Sequence, residues 1–274
     1  MNSSALVDQR PSTALVLGAT GGLGKAYCHA LAKCSLHLII SGRNEQALQA
    51  LSNELVAAYN VEVETHIADL SFEANVEKVM ALIRGNERIA RFVNATGLAQ
   101  WGHYTEFSEA SEQAMFQINL WVPIQLVRCA VEAFEQRNGG KVIQVASAAA
   151  FFPIPFLSGY CATKMAIVQW LRSIRQENHA SKVYIQALCP GVVKTQMFSK
   201  AGANADRLPS WIWMSPERVV RESLRAVELN RTVCIPGRRY RMMIFGLKWV
   251  PSSISIFVAG RLFGNFSKYR VLES

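Results

Sequence analysis

In the stretch SGYCATKMA, Tyr160 and Lys164 stand four residues apart. On a helix that spacing sets a phenol and an amine about one turn apart on the same face. A free phenol titrates at about 10 and is a poor acid–base group at neutral pH unless a neighbouring cation lowers that value, and Lys164 supplies such a cation. The pair suits proton transfer to a carbonyl oxygen or, in reverse, from an alcohol. Two more polar residues can join it: Ser147, ending the apolar run KVIQVAS, and Asn119, within FQINLW. Each also has a plainer use, Ser147 as the N-cap of the next element and Asn119 as a kink inside a helix. Cys161 is turned about 100° around a helix from Tyr160, so it reads as packing or pocket wall rather than as a nucleophile.

These residues need a frame to hold them. Short apolar runs alternate with longer amphipathic segments: TALVLG before Gly22 to Lys33, LHLIIS before Asn44 to Tyr59, and VEVETHIA before Ser71 to Arg84. The series continues through RFVNA, the long helical pattern Ser108 to Gln136, KVIQVAS, Leu157 to His179, VYIQALC, Pro216 to Asn230 and TVCIP. This alternation predicts an α/β fold, a doubly wound, predominantly parallel seven-stranded sheet with helices on both faces. Ligands bind such sheets at the carboxyl ends of the strands, where Ser147, Tyr160 and Lys164 fall. Without an internal repeat or a Gly/Ser/Pro linker, residues 1–239 read as one domain and 240–274 as an apolar, basic extension. Gly191 to Ser215 shows no steady period and reads as a binding loop.

The first strand runs into Gly18-Ala19-Thr20-Gly21-Gly22-Leu23-Gly24, directly before a helical segment. Glycines there permit a tight turn and bring backbone N–H groups and a helix N-terminus against a pyrophosphate. After the second strand, Ser41-Gly42-Arg43-Asn44 offers no carboxylate for a ribose 2′-hydroxyl, while Arg43 offers a cation to a 2′-phosphate. NADP(H) is therefore expected in preference to NAD(H), unless Arg43 only decorates the start of the next helix. The spacing of Gly18, Gly22 and Gly24 favours a simple oxidoreductase over epimerases and dehydratases on related folds, which more often show GxxGxxG.

With Asp69-Leu70, Asn94-Ala95-Thr96-Gly97 and Pro190-Gly191-Val192-Val193-Lys194-Thr195, these motifs make the chain resemble the short-chain dehydrogenase/reductase family, from about Thr13 to Thr195 and more loosely to about Pro236. The resemblance implies a Rossmann-type fold in which Asp69 and Leu70 hold the adenine, Asn94 and Ala95 lie beside the cofactor, and Pro190, Gly191, Val193 and Thr195 border its carboxamide. It also implies that Ser147 hydrogen-bonds the substrate oxygen, Tyr160 is the acid–base, Lys164 holds the ribose hydroxyls, and Asn119 anchors a water in a proton relay to Lys164. Asp69 reads alternatively as a cap before Ser71. The chain departs from the family in Ala95-Thr96, where Asn-Ala is common, and in Ala146, where a second Ser is common.

Composition narrows the remaining choices. At 274 residues, half of them hydrophobic, the chain is long enough for a sizeable core. Its six cysteines lie scattered, mostly in apolar runs, which suggests free thiols in a reducing, cytoplasmic setting; the N-terminus shows no secretory pattern. Its five histidines show no ligand spacing, so no metal is expected. The net charge of +9 is concentrated at the end, where Arg231, Arg238, Arg239, Arg241, Lys248, Arg261, Lys268 and Arg270 face Glu273 alone. These cations alternate with long apolar side chains and no nucleic-acid reading motif appears, so no nucleic-acid partner is expected. The extension is expected to contact a membrane surface, close the substrate pocket or pack on a second subunit of a homodimer or homotetramer.

The segments expected to wall the substrate cleft carry Trp101, Tyr104, Phe151, Phe152, Ile154, Phe156, Phe198, Trp211 and Trp213. Such walls suit a small hydrophobic ketone or secondary alcohol, of lipid, steroid-like or polyketide-like character, although any of these aromatics can instead be core or subunit interface. A cofactor-binding sensor or scaffold without catalysis is the competing function, and the intact set Asn119, Ser147, Tyr160 and Lys164 argues against it.

Overall fold

The computed structural model describes residues 12–195, 197, 210–247, 249 and 250. Phe198, Lys248 and residues 251–274 of the basic extension lie outside the described residues. The strands are β1 (Thr13–Leu17), β2 (His37–Gly42), β3 (Val63–Ile67), β4 (Ile89–Asn94), β5 (Gly140–Val145), β6 (Val183–Leu188) and β7 (Val233–Cys234). They form one parallel seven-stranded sheet in the order β3-β2-β1-β4-β5-β6-β7. The strand order reverses between β1 and β4, which opens the crevice where ligands of such sheets bind.

Burial explains why the central strands read as unbroken apolar runs. All five residues of β1 are buried, and they alternate between two cores: Leu15 and Leu17 face one, Ala14 and Val16 the other. The first core is covered by α3 (Glu73–Gly85), α5 (Val122–Gln136) and α6 (Ser158–Glu177), the second by α1 (Gly22–Ala32), α2 (Glu45–Tyr59) and α7 (Pro216–Glu228). A third, smaller cluster lies at the carboxyl edge of the sheet. It joins Met115 of α4 (Glu109–Phe116), Phe152, Ile154, Leu157, Tyr160 and Ile244 of α8 (Arg238–Leu247).

The segment expected as one long helix from Ser108 to Gln136 is helical but broken. Between α4 and α5, Gln117–Trp121 forms a π-helical turn closed by a bond from Val122 N–H to the Gln117 carbonyl. The physical cause is Pro123, which has no N–H to give the Asn119 carbonyl four residues earlier and whose ring crowds it. By length and composition the helix spanning α4 and α5 could cross a membrane, yet more than half of its most apolar stretch is buried in the protein. Of the six cysteines, five are buried thiols and Cys34 is exposed.

A buried polar relay fastens three elements behind the site. The Tyr27 hydroxyl of α1 donates to Ser223 Oγ of α7 at 2.5 Å, and Ser223 Oγ donates to Gln186 Oε1 of β6 at 2.5 Å. The Gln186 amide returns a bond to the Ser223 carbonyl at 3.2 Å. Ser223→Ala leaves both a phenol and an amide oxygen without their buried partner. It should lower unfolding free energy by about 1–3 kcal/mol in urea titration, whereas a surface Ser→Ala change should not.

Candidate active site

One cleft of about 2520 Å³ runs along the carboxyl edge of the sheet. At one end lie Ser41, Arg43, Asp69 and Leu70, in the middle Gly18, Thr20, Gly22, Leu23 and Ala95, and at the other end Ser147, Tyr160, Lys164, Pro190, Gly191, Val193 and Thr195. Four of the catalytic and cofactor-binding residues expected from the sequence do not line it. Gly24 packs against the end of β1, where an added Cβ would fall 2.0 Å from the Gly18 carbonyl oxygen. Asn44 caps α2, accepting from Ala47 N–H at 2.9 Å. Asn94 and Asn119 are wholly buried beside the cleft.

The middle of the cleft is built for an anion. Gly18 turns the chain with φ +71°, a region glycine enters without strain. Helix α1 then begins at Gly22 without any side-chain cap, so its first N–H groups are left to whatever the cleft holds. Thr195 lies against Gly22, where an added Cβ would fall 2.4 Å from its Cγ2, so the turn after β6 reaches back to the phosphate loop. Asn94 Oδ1 accepts from Thr96 N–H at 3.1 Å and from the Thr96 hydroxyl at 2.6 Å, while its buried Nδ2 has no partner among the described residues. An extended dinucleotide fits this arrangement: a pyrophosphate at the head of α1, and a nucleoside near Asp69 and Arg43. At that end Asp69 accepts from Ser71 N–H at 3.0 Å and the Ser71 hydroxyl at 2.7 Å, the capping use also foreseen. Partial burial works to raise its carboxyl, but these bonds and the Arg43 guanidinium outweigh it and hold the group below its ordinary value.

The proton-transfer end is drier. Lys164 is 2% exposed, and its Nζ lies 5.5 Å from the centre of the Tyr160 ring and 3.4 Å from the Val145 carbonyl, to which it donates. Among the described residues it has no carboxylate partner. Burial brings its ammonium down to about 8. Burial also pushes the Tyr160 phenol up to about 12, against a hydrogen bond to the Ser147 side chain that pulls it down. This corrects the expectation drawn from spacing: in the protein alone, desolvation raises the phenol, and the Ser147 hydrogen bond rather than the lysine is what opposes it. Ser147 serves two purposes at once, because its Oγ also accepts from Ala149 N–H at 3.1 Å as the cap of a short helical turn.

Asn119 is held by the π turn. Its Oδ1 accepts from Leu98 N–H at 2.8 Å, and its Nδ2 donates to the Leu98 carbonyl at 2.8 Å and to Thr163 Oγ1 at 3.3 Å. Gly97 leaves open the space between this amide and the lysine: a Cβ there would lie 3.3 Å from Asn119 Oδ1 and 3.4 Å from Lys164 Nζ. Asn119, Thr163 and Lys164 thus form a buried polar group directly behind Tyr160.

The substrate side is apolar. Trp101, Phe152, Ile154, Trp211 and Trp213 line the cleft as expected from the sequence, whereas Tyr104, Phe151 and Phe156 do not. Tyr104 is exposed, Phe151 packs between two cores, and Phe156 occupies a turn at φ +67°. Tyr240, Met243 and Leu247, which α8 turns into the cleft, belong to the extension for which pocket closure was one expectation, but none of the three was singled out in the sequence. Their spacing of three and four residues was the available signal.

A parallel doubly wound sheet with an uncapped, glycine-turned phosphate site beside a Ser, Tyr and Lys defines a nicotinamide-dinucleotide oxidoreductase fold. The profile of the short chain dehydrogenase family matches residues 12–206, and the chain belongs to that family. The chain is 25% identical over 228 residues to the human "Inactive hydroxysteroid dehydrogenase-like protein 1", covering 82% of this chain and 68% of that one. It is 28% identical over 232 residues to the "Very-long-chain 3-oxoacyl-CoA reductase" of Anas platyrhynchos, covering 81% and 72%. Among solved structures, a short-chain dehydrogenase from Sphingobium yanoikuyae in complex with NADPH aligns with a TM-score of 0.80 and 25% identity, over 88% of this chain and 94% of that one.

With the phenol held near 12, the neutral form dominates at physiological pH, which suits donation to a carbonyl oxygen. If Tyr160 is the group that takes a proton from an alcohol, log(kcat/KM) for oxidation should climb with pH, by about one per unit at most, across pH 6–8. Reduction should show no such climb. A pH–rate series in both directions checks this, and an oxidation profile flat from pH 6 upward would contradict it.

Proposed function

We propose that the protein is an NADP(H)-dependent oxidoreductase that interconverts a hydrophobic ketone and its secondary alcohol. The observation that carries this reading is the meeting, in one cleft, of the Ser147–Tyr160–Lys164 group with apolar walls and a dinucleotide cradle ending at Arg43. The bound nicotinamide would supply or accept the hydride. Ser147 would hold the substrate oxygen, Tyr160 would give it a proton in reduction and take one in oxidation, and Lys164 would hold the ribose hydroxyls. Asn119 would steady a water in a relay to Lys164, in the space that Gly97 leaves open. The aromatic walls exclude water from the reacting carbon and orient the substrate by area rather than by many polar contacts.

The names of relatives, which refer to hydroxysteroids and 3-oxoacyl-CoA compounds, support an apolar ketone, and Arg43 in Ser41-Gly42-Arg43-Asn44, where no carboxylate stands to take a ribose 2′-hydroxyl, supports the phosphorylated cofactor. One relative is named inactive, which makes a cofactor-binding scaffold the alternative; the intact Ser147, Tyr160 and Lys164 favour catalysis. NADPH consumption against a panel of apolar ketones tests the reading. Tyr160→Phe should cut turnover at least a hundredfold with NADPH binding retained, and unchanged turnover would sink the mechanism. Arg43→Asp should weaken NADPH selectively, while equal losses for NADH would overturn the cofactor preference.

The proposal extends to a cytoplasmic homodimer or homotetramer that also meets a membrane through its C-terminal extension. The support is α8 and the residues after it. Met242, Phe245 and Trp249 are 73%, 64% and 80% exposed, beside Arg238 and Arg239, which among the described residues have no acidic partner. Apolar side chains next to cations suit an anionic lipid surface. Phe245→Glu combined with Trp249→Glu should reduce sedimentation with phosphatidylglycerol-containing vesicles about tenfold; equal sedimentation would contradict membrane contact through this helix.

A further inference from the structure

Tyr240 stands where three parts of the cleft meet, and the motifs of the sequence did not point to it. The turn after β6 and the segment 210–214 lie edge to edge. Met214 N–H donates to the Val192 carbonyl at 2.9 Å, Lys194 N–H donates to the Met214 carbonyl at 3.0 Å, and Val193 and Met214 pair as an isolated parallel bridge. Beyond that bridge the connection passes through a side chain. Val192 N–H donates to Tyr240 Oη at 3.0 Å, and the same hydroxyl donates to the Ile212 carbonyl at 2.7 Å.

The ring is as closely placed as the hydroxyl. It covers Gly191, where an added Cβ would fall 2.0 Å from the ring Cζ and 2.2 Å from Cε1. One turn further along α8, Ile244 is 3% exposed and packs in the cluster that contains Tyr160, Phe152 and Ile154. On the other side of the turn, Ala148 N–H donates to the Pro190 carbonyl at 2.8 Å, next to Ser147. A continuous set of bonds therefore runs from the Ser147 turn through Pro190 and Val192 to the Tyr240 hydroxyl and on to Ile212. Pro190, Gly191 and Val193 line the cleft on one side of that hydroxyl, and Ile212, Trp213 and Met214 line it on the other.

We infer that Tyr240 is a positioning residue, whose hydroxyl fixes the apolar substrate wall at 212–214 against the turn at 190–195 that borders the cofactor end. The inference rests on the proposed ketone–alcohol reaction. A hydride crosses only between atoms held in register, and a shift on the order of 1 Å can cost up to a hundredfold in rate. Phenylalanine at this position keeps the ring over Gly191 and removes both bonds, so it loosens the wall without opening a cavity. Alanine at Gly191 does the reverse, keeping the hydroxyl and forcing the ring aside.

The test compares wild type, Tyr240→Phe and Gly191→Ala with an apolar ketone, using NADPH and NADPH deuterated at the transferring position. Tyr240→Phe should lower kcat/KM about tenfold and raise the primary deuterium isotope effect on kcat, as the hydride step becomes limiting. Its melting temperature should stay within a few degrees of wild type. Gly191→Ala should shift both kinetic readouts the same way, and decides the matter if Tyr240→Phe fails to fold. Unchanged kcat/KM and isotope effect in the folded variant, alongside wild-type turnover, would overturn the positioning role alone. A wild type without turnover on any ketone would overturn the functional reading and this role with it.

Discussion

Among the described residues the Lys164 ammonium is buried without a counter-ion, and the site around it is arranged to hold that charge. Lys164 is almost wholly enclosed and is brought down to about 8 by that enclosure. Burying a charge this way costs free energy, so the surroundings must supply dipoles aimed at it. The Val145 carbonyl at the end of β5 accepts a hydrogen bond from its Nζ at 3.4 Å, and the Asn119 amide lies across the space kept open at Gly97. The Tyr160 ring closes the cleft side. Removing any of these would leave the charge worse solvated than it is, which ties the strand end, the π turn and the start of α6 into one unit.

That unit works because backbone features hold it, rather than side-chain packing alone. Pro123 breaks the regular bonding of the α4–α5 helix, and the π turn that results presents Asn119 where a straight helix would carry on its bond ladder. The same logic holds at the phosphate loop, where α1 begins without a side-chain cap and so keeps free N–H groups for an anion. Behind both, the Tyr27, Ser223 and Gln186 relay pins α1 and α7 to β6, whose exit turn borders the cleft. Local irregularity at the carboxyl edge is carried by a regular, doubly covered sheet.

Much of this was legible in the sequence, for reasons that can be named. Strands buried on both faces leave apolar runs such as TALVL, and the alternation with amphipathic helices fixed the parallel topology before any coordinates. Gly18, Gly22, Ser147, Tyr160 and Lys164, which the structure brings to one cleft, were readable because a dinucleotide turn and a proton-transfer pair would need those residue types at those places. The direction of the Tyr160 shift was not readable, since spacing shows a neighbouring lysine but not the burial that dominates the shift. Tyr104, Phe151 and Phe156 were misplaced because an aromatic near the cleft in sequence can still face solvent, core or a turn. The break at Gln117–Trp121 had its signal in Pro123, and α8 had one in the spacing of Tyr240, Met243 and Leu247. Neither signal resembles a catalytic motif, and both act through geometry that appears only once the chain is folded.

In the proposed reaction, a nicotinamide in the cleft meets a carbonyl held by Ser147 and protonated by Tyr160. The most direct measurement is mass spectrometry of the alcohol formed from an apolar ketone with NADPH deuterated at the transferring position of its nicotinamide. The proposed reaction puts one deuterium on the carbinol carbon with the wild-type protein and yields at most about a hundredth as much labelled alcohol with Tyr160→Phe. Labelled alcohol formed equally well by both proteins, or none formed by either, would contradict it.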